Sequence, residues 1–392
     1  MSEPKVTIAD VAREAGVSKG LVSFALNDRP GVSAESRVRI LEIAERLGWT
    51  PSLRARSLST RRSFALGLVI ARDPEVLGSD PFFPSFIAGV ETVLAPQGLA
   101  LVLSVVPDEK TEMRTYRSLV SDGRVDGVFL SDLRHNDPRI PLLQELGLPA
   151  VTLGRPDTES PFPCISVDDT PGVAETVRYL VSLGHRRIAH VAGSPALLHG
   201  SRRRAAFDTA LREAGLPAGQ SIETDFSVAA GADAARRLLT QDSPPTAIVF
   251  ANDPMAIAGL GVAHELGLRV PDDVSITGFD DIDFTRYVYP ALTTVRTAPS
   301  DWGRAAGRTL LDLMALGTAP DVDLPAGRLV IRGSAGTPCG PSCRTVPHSS
   351  PPIRHRTLRT PHRPRVGRGP PARPSPRAAP PETHPRQSCR GD

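Results

Sequence analysis

The sequence predicts a small all-α head, a two-lobed α/β core of doubly wound parallel sheets, and an irregular tail. Three observations carry this. Apolar and capping residues recur at helical spacing around tight turns in the first fifty residues. From Ser63, short apolar runs alternate with amphipathic stretches, in a series that restarts near Ile188. After residue 338 all periodicity stops. At 392 residues the chain exceeds one small core and calls for two or three units.

In the head, Thr7 is placed to cap a first helix, with Asp10 three residues on as its partner and a favourable charge at the positive helix end. Ile8, Val11, Ala12 and Ala15 form its apolar face, and Gly16 ends it. Ser18 caps a second helix, Lys19 to Leu26, whose inner face is Leu21, Val22, Ala25 and Leu26. Ser18, Lys19, Gly20, Ser23, Phe24 and Asn27 are left for the outside or its edges. A third helix is capped at Ser33, carries Val38, Ile40, Leu41, Ile43, Ala44 and Leu47, and stops at Gly48. Three short helices at this spacing make a helix-turn-helix unit, whose second helix enters a major groove of DNA. Charge agrees: residues 1–62 hold eleven Lys or Arg and seven Asp or Glu, a balance of +4 that suits a phosphate backbone. Pro51 to Ser59 is helix-compatible but too short to be stable alone, so it orders only on a surface that supplies contacts.

In the core, Ala65–Ala71 reads as a buried parallel strand, Phe86–Gln97 as a helix and Leu99–Val105 as the next strand. Val125–Leu130 and Ala150–Leu153 add two more strands, each after a helical stretch, as βαβ units require. The series restarts at Ile188–Ala192, with helices at Arg202–Ala214 and Ala230–Thr240 and strands at Ala247–Phe250 and Val274–Thr277. His185 sits before a strand, at the end away from any cleft, and is read as structural.

The net charge of +3 sums unlike parts: residues 339–392 carry +9, which leaves residues 63–338 at about −10. The middle is therefore no nucleic-acid surface; binding something small and regulating suits it better. No stretch is apolar for the ~20 residues a bilayer crossing needs, and the first five residues lead into a helix without the apolar core of an export signal. A cytoplasmic protein without membrane contact is expected. Only Cys164 of four cysteines lies in the folded part, against a disulfide framework. Neither GxGxxG nor a metal-ligand spacing occurs, and GxSxG occurs as Gly16–Gly20 at the turn between two head helices and not on a strand-to-helix elbow, so no enzyme, cofactor or metal is expected. The tail has thirteen Pro and eleven Arg in residues 339–392 and no leucine heptads. It is expected to be disordered, adding non-specific DNA affinity or being an unselected, frame-shifted extension.

The segments DVAREAGVSKGLVSFALN, SLRARSL, SLGHRRIAHVAG from Ser182, AND at Ala251–Asp253, TGFDD from Thr277, ALTTVR from Ala291 and LVIRGS from Leu329 come in a set order. Together they resemble the lactose-repressor (LacI/GalR) family of bacterial transcription factors over about residues 5–336. The resemblance implies a DNA-binding domain at 1–50, a hinge at 51–62 and a periplasmic-binding-protein-like effector and dimerisation core at 63–338. Its chain would cross between lobes near residues 166, 292 and 326. The first lobe would then hold about 63–166 and 293–326, the second 167–292 and 327–338.

A ligand in such a core sits in the loops after the strands, where their carboxyl ends face each other. Arg203 resembles the family's ligand-gripping arginine, Phe226 its aromatic platform, and Phe82 and Phe83 line the other lobe. Asn252 ends a strand and could also cap the helix that starts at Pro254, a role expected rather of Asp253. Asp280 can accept paired bonds from vicinal hydroxyls. Gly154-Arg155 stands where some sugar-binding members place an acid, so a lactose-like ligand does not carry over; a different sugar or something anionic fits, and the set favours a sugar. On the DNA side, Thr7, Ser18, Ser23 and Asn27 suit phosphates and base edges. Lys19 and Gly20 resemble the family's main sequence-reading pair, and Phe24 replaces its frequent arginine. In the hinge, Leu58 matches the leucine wedged between base pairs, with Ser52, Ala55 and Arg56 beside it. That wedge implies a homodimer on double-stranded DNA at a near-palindromic operator.

Overall fold

The computed structural model describes residues 6–27, 29–49, 60 and 62–338. The expected hinge helix with Ser52, Ala55, Arg56 and Leu58, and the tail from residue 339, lie outside the described residues.

The head forms as its caps dictate: α1 spans Ile8–Ala15, α2 Lys19–Leu26 and α3 Ala34–Arg46. Gly16 takes the left-handed conformation (φ 67°) that ends α1, and the hydroxyl of Ser18 accepts the Leu21 N–H at 3.2 Å to start α2. Val11, Ala12, Ala15, Val22, Ala25, Ile40, Ile43 and Ala44 close a small core. Val38 and Leu41 of α3 stay exposed, because so short a bundle buries only one stripe of each helix.

The core carries two six-stranded sheets. The first has the order β2-β1-β3-β4-β5-β11, all parallel, built from β1 Ala65–Ala71, β2 Ala100–Val106, β3 Gly127–Leu130, β4 Ala150–Leu153, β5 Cys164–Val167 and β11 Val322–Leu324. The second has the order β7-β6-β8-β9-β10-β12, from β6 Ile188–Ala192, β7 Ser221–Glu223, β8 Ala247–Phe250, β9 Ser275–Asp280, β10 Thr293–Arg296 and β12 Arg328–Val330. Only β12 runs antiparallel to its neighbour, β10. The strands β3, β4, β6 and β8 are buried throughout and β1 is buried up to Ile70, as strands covered by helices on both faces must be.

One boundary is corrected. The return to the first lobe was expected at residue 293, yet β10 pairs with β9 in the second sheet, and the chain crosses only at Thr297–Ala298. The reason is local: Val295 is buried among second-lobe residues, and the Thr294 hydroxyl donates to the buried Asp253 carboxylate at 2.5 Å. The other two crossings fall after β5 and between β11 and β12. His185 is structural as read, its ring bonded to Thr246, Ser275 and the Gly336 carbonyl in the second-lobe core.

After the second crossing the helix Pro299–Leu316 packs on the helix Phe82–Leu94 so closely that Gly303 and Gly89 are required. A Cβ on Gly303 would lie 2.1 Å from the Phe86 carbonyl oxygen, and one on Gly89 2.1 Å from that of Ser300. Backbone cannot yield as a side chain can. Gly303→Ala should therefore cost about 1–3 kcal/mol of core stability, read as a lowered midpoint in urea unfolding.

Candidate functional site

In the head, the exposed side of α2 presents Ser18, Lys19, Gly20, Phe24 and, at its end, Asn27, with Ser23 half-buried. Several of these polar groups already have work. The Asp10 carboxylate takes both the backbone N–H of Thr7 (3.0 Å) and its hydroxyl (2.6 Å), and these bonds with Arg13 hold Asp10 at about 2. A phosphate at Thr7 must compete with that carboxylate. Asn27 donates to the Ser23 carbonyl at 2.8 Å and to its hydroxyl at 3.5 Å, which leaves its oxygen for another partner. Lys19 and Gly20 stand clear, a Cβ on Gly20 meeting nothing nearer than the Ser18 hydroxyl at 3.8 Å. Phe24 is 41% exposed, an apolar ring on an otherwise polar face, with the Arg29 guanidinium 6.0 Å from its centroid.

In the core, a cavity of about 1070 Å³ opens between the carboxyl ends of the two sheets. On the first-lobe wall, Arg72 follows β1 and its guanidinium is held by two acids. Asp132, after β3, accepts Nε and Nη2 at 2.7 Å each, and Asp80 accepts Nη1 at 2.6 Å. Burial pushes Asp132 up, but the charge and bonds of Arg72 outweigh it and hold it at about 2. Burial wins at Asp80, which is raised despite Arg72.

On the second-lobe wall, Arg203 donates Nε to Asp169 at 2.7 Å and Nη1 to the Ala251 carbonyl at 2.8 Å, stacked 3.8 Å over the Phe279 ring. Half of its fork remains for a ligand. The Phe226 ring presses on Gly193, where a Cβ would lie 1.8 Å from it, and packs 5.1 Å from His199. Burial depresses His199 to about 3, so its ring is neutral. Asp280 lines the cavity with a left-handed backbone (φ 119°), and no hydrogen bond to its carboxylate is observed among the described residues. Burial raises it well above the ordinary value, against the pull of Arg203 and helped by Asp253, Asp80 and Asp169.

The structure thus brings Phe82, Arg203, Phe226, Asn252 and Asp280 onto one cavity. Two expectations are corrected. Phe83 does not line it: at 2% exposure it lies in the first-lobe core, 5.2 Å beneath the Arg72 guanidinium. Adjacent residues on a helix point about 100° apart, so only Phe82 of the pair can face the cleft. Asn252, rather than Asp253, caps the following helix, its Oδ1 accepting the Met255 N–H at 2.9 Å while Nδ2 donates to the Phe226 carbonyl at 3.1 Å. Asp253 is turned inward instead, to Thr294 and the Ile282 N–H. Sequence reasoning missed Arg72, Asp80, Asp132, Asp169 and His199. Arg72 and Asp132 directly follow the runs read as β1 and β3, so the strand-end rule applied to every strand finds them; β5, which leads to Asp169, is short and lacks a periodic signal.

The arrangement is rich in acceptors. Asp80, Asp132, Asp169 and Asp280 gather round Arg72 and Arg203, while Arg155 and Arg202 line the same cavity.

Comparison with known proteins bears on both parts. Residues 7–52 match the model of bacterial regulatory proteins of the lacI family, and residues 177–335 that of a periplasmic binding protein-like domain. The chain is 32% identical over 322 residues to the HTH-type transcriptional regulator CelR of Thermobifida fusca, covering 81% of this chain and 94% of that one. It is 31% identical over 357 residues to the HTH-type transcriptional regulator AglR of Rhizobium meliloti, covering 89% and 99%. Among solved structures, the CelR–cellobiose complex aligns at 30% identity and TM-score 0.64 over 84% of this chain and all (100%) of that one. The Lac repressor dimer bound to operator and the anti-inducer ONPF aligns at 26% identity and TM-score 0.74, over 85% and 100%.

Asp132→Asn leaves the buried Arg72 with Asp80 alone and should cost about 3 kcal/mol, measured by chemical unfolding. Because Asp132 is lowered from 3.8 to about 2 on folding, its contribution is present above the unfolded value and lost as pH falls through the folded one. Unfolding curves of the Asn variant should show a weaker loss of stability over that window.

Proposed function

Since the chain belongs to the LacI family of bacterial regulatory proteins, we propose that it is a repressor that grips a near-palindromic operator as a homodimer and answers to a neutral saccharide. The chain is a DNA-binding transcriptional regulator and not an enzyme, as are the family and the relatives it matches. No helix among the described residues is long and apolar enough to cross a membrane, and a cytoplasmic location accords with work on DNA.

The observation that carries the effector reading is the acceptor-rich wall beside an aromatic ring. Unpaired acceptors on Asp280 and the outer lone pairs of Asp132 and Asp80 call for hydroxyl donors. The Phe226 ring offers a platform for the apolar face of a sugar ring, and the free half of Arg203 a donor for its oxygens. The relative CelR has been solved with cellobiose, which favours the same class. Of the two ligand classes the sequence left open, the deep wall favours the sugar.

The homodimer reading rests on exposed apolar groups. Phe284, Tyr287, Tyr289 and Ile331 stand out from the second lobe, Tyr289 at 97% exposure, and Leu103 and Val105 are exposed on the edge strand β2 of the first. Patches of this kind are characteristic of surfaces that a partner covers. The Lac repressor was solved as a dimer on operator. In the proposed mechanism, a saccharide joining the two walls biases the dimer between forms that do and do not hold the hinges together, a difference in affinity between two states. Thr7, Ser18, Ser23 and Asn27 then serve phosphates and base edges, Lys19, Gly20 and Phe24 read the groove, and Leu58 wedges between base pairs with Ser52, Ala55 and Arg56 alongside.

Selection of bound sites from random duplexes, followed by a screen of neutral saccharides for loss of the complex, tests the reading. A two-fold symmetric site and release by a neutral saccharide are expected; a monomer without sequence preference at moderate salt contradicts it. Arg203→Ala should abolish the saccharide response and leave operator affinity within about twofold, since the cleft is remote in sequence from the head. Leu58→Ala should weaken operator binding at least tenfold, the loss of about 1.4 kcal/mol or more, and change non-specific binding far less in the same gel-shift assay.

A further inference from the structure

Resting on the operator reading above, we propose that Phe24 recognises the C5 methyl group of a thymine in the major groove of each operator half-site. Phe24 is 41% exposed, although its helix α2 buries Val22 and Ala25 in the apolar core of the head. A lone apolar side chain on a surface means little by itself. This one shares its exposed side with Ser18, Lys19, Gly20 and Asn27, on the helix that a helix-turn-helix unit turns toward base edges.

The ring is braced from below. A Cβ on the left-handed Gly31 (φ 99°), in the turn after α2, would stand 3.9 Å from its edge. That turn is itself tied down: the Arg29 N–H donates to the Phe24 carbonyl at 2.9 Å, and the Arg37 guanidinium of α3 donates to the carbonyls of Ala25 at 3.1 Å and Arg29 at 2.7 Å. A side chain held in this way loses little freedom on contact. Gly20 stands four residues earlier, and so beside Phe24 on one helix face. A Cβ there would meet only the Ser18 hydroxyl, at 3.8 Å, so a hollow adjoins the ring.

The chemistry of the ring selects its partner. It has no hydrogen-bond donor or acceptor, so it cannot answer the amino groups and acceptors that mark guanine, cytosine and adenine in the major groove. Covering one of those groups strips its water and returns no bond. The thymine methyl is the apolar feature of a base edge in that groove, and a ring beside a hollow fits it.

In the site selected from random duplexes, each thymine is replaced in turn by deoxyuridine, which removes the methyl alone, and binding of the full-length protein is followed by gel shift. At one thymine of each half-site the replacement should weaken the parent about fourfold, the weight of one buried methyl. That ratio should hold as salt is raised, since a methyl contact releases no counterion. Phe24→Ala and Phe24→Gln should bind the thymine and deoxyuridine sites alike, and Phe24→Leu, still apolar, should keep a difference. With cytosine at the same position, its methylation at C5 should strengthen binding by the parent and not by Phe24→Ala. If a site is selected but no thymine shows a methyl effect that depends on residue 24, the proposal is overturned and the operator reading survives; if no site is selected, both fall. A Phe24→Ala protein that melts earlier yet keeps the parent's thymine-by-thymine pattern also overturns it, the ring then serving the fold.

Discussion

A guanidinium removed from water must find acids, and in this protein that demand organises the cleft. Arg72 leaves the end of β1 and is met from two directions, by Asp132 beyond the adjacent β3 and by Asp80 on its own side of the sheet. The pairing fixes the ends of neighbouring strands relative to each other, with Phe83 below as an apolar floor. It also decides what the wall offers. With three of its five N–H groups engaged, Arg72 presents the lone pairs of its partner carboxylates to the cavity, which suits the hydroxyl donors of the proposed saccharide.

The opposite wall follows a related logic with a different outcome. Arg203 is anchored by one acid and one carbonyl while stacked on Phe279, which freezes its plane and spares part of the fork. Asp280 is left without such a partner beside three other carboxylates, a costly state for a buried group that a bound donor relieves. One wall is thus closed upon itself and the other is open, and a ligand gains most by spanning them. That spanning links binding to the relative position of the lobes, which is the coupling a regulator needs.

The head uses its polar residues twice. Ser18 and Asn27 satisfy helix ends that would otherwise waste backbone groups, and they lie on the same exposed side as Lys19, Gly20 and Phe24. Local folding and the proposed groove contacts therefore fall on the same few positions, so substitutions there are expected to affect both.

Much of this was legible in the chain itself. Thr7, Gly16, Ser18, Ser33 and Gly48 announce the three helices because caps and left-handed stops are local chemistry, and the runs at β1, β4, β6 and β8 announce buried strands because both their faces are covered. Short pieces were not legible: β5, β7, β11 and β12 have three or four residues and draw their pairing from neighbours distant in sequence. The same holds for the site. The family resemblance pointed to Arg203 and Phe226 and the loop after a strand to Asp280, whereas which of Phe82 and Phe83 faces the cleft, whether Asn252 or Asp253 caps, and which acids claim Arg72 were decided only in three dimensions. Capping and periodicity act over a few residues, so composition and spacing encode them. Ion pairing and burial depend on groups dozens of positions apart, and only the packed sheets bring those within reach of one another.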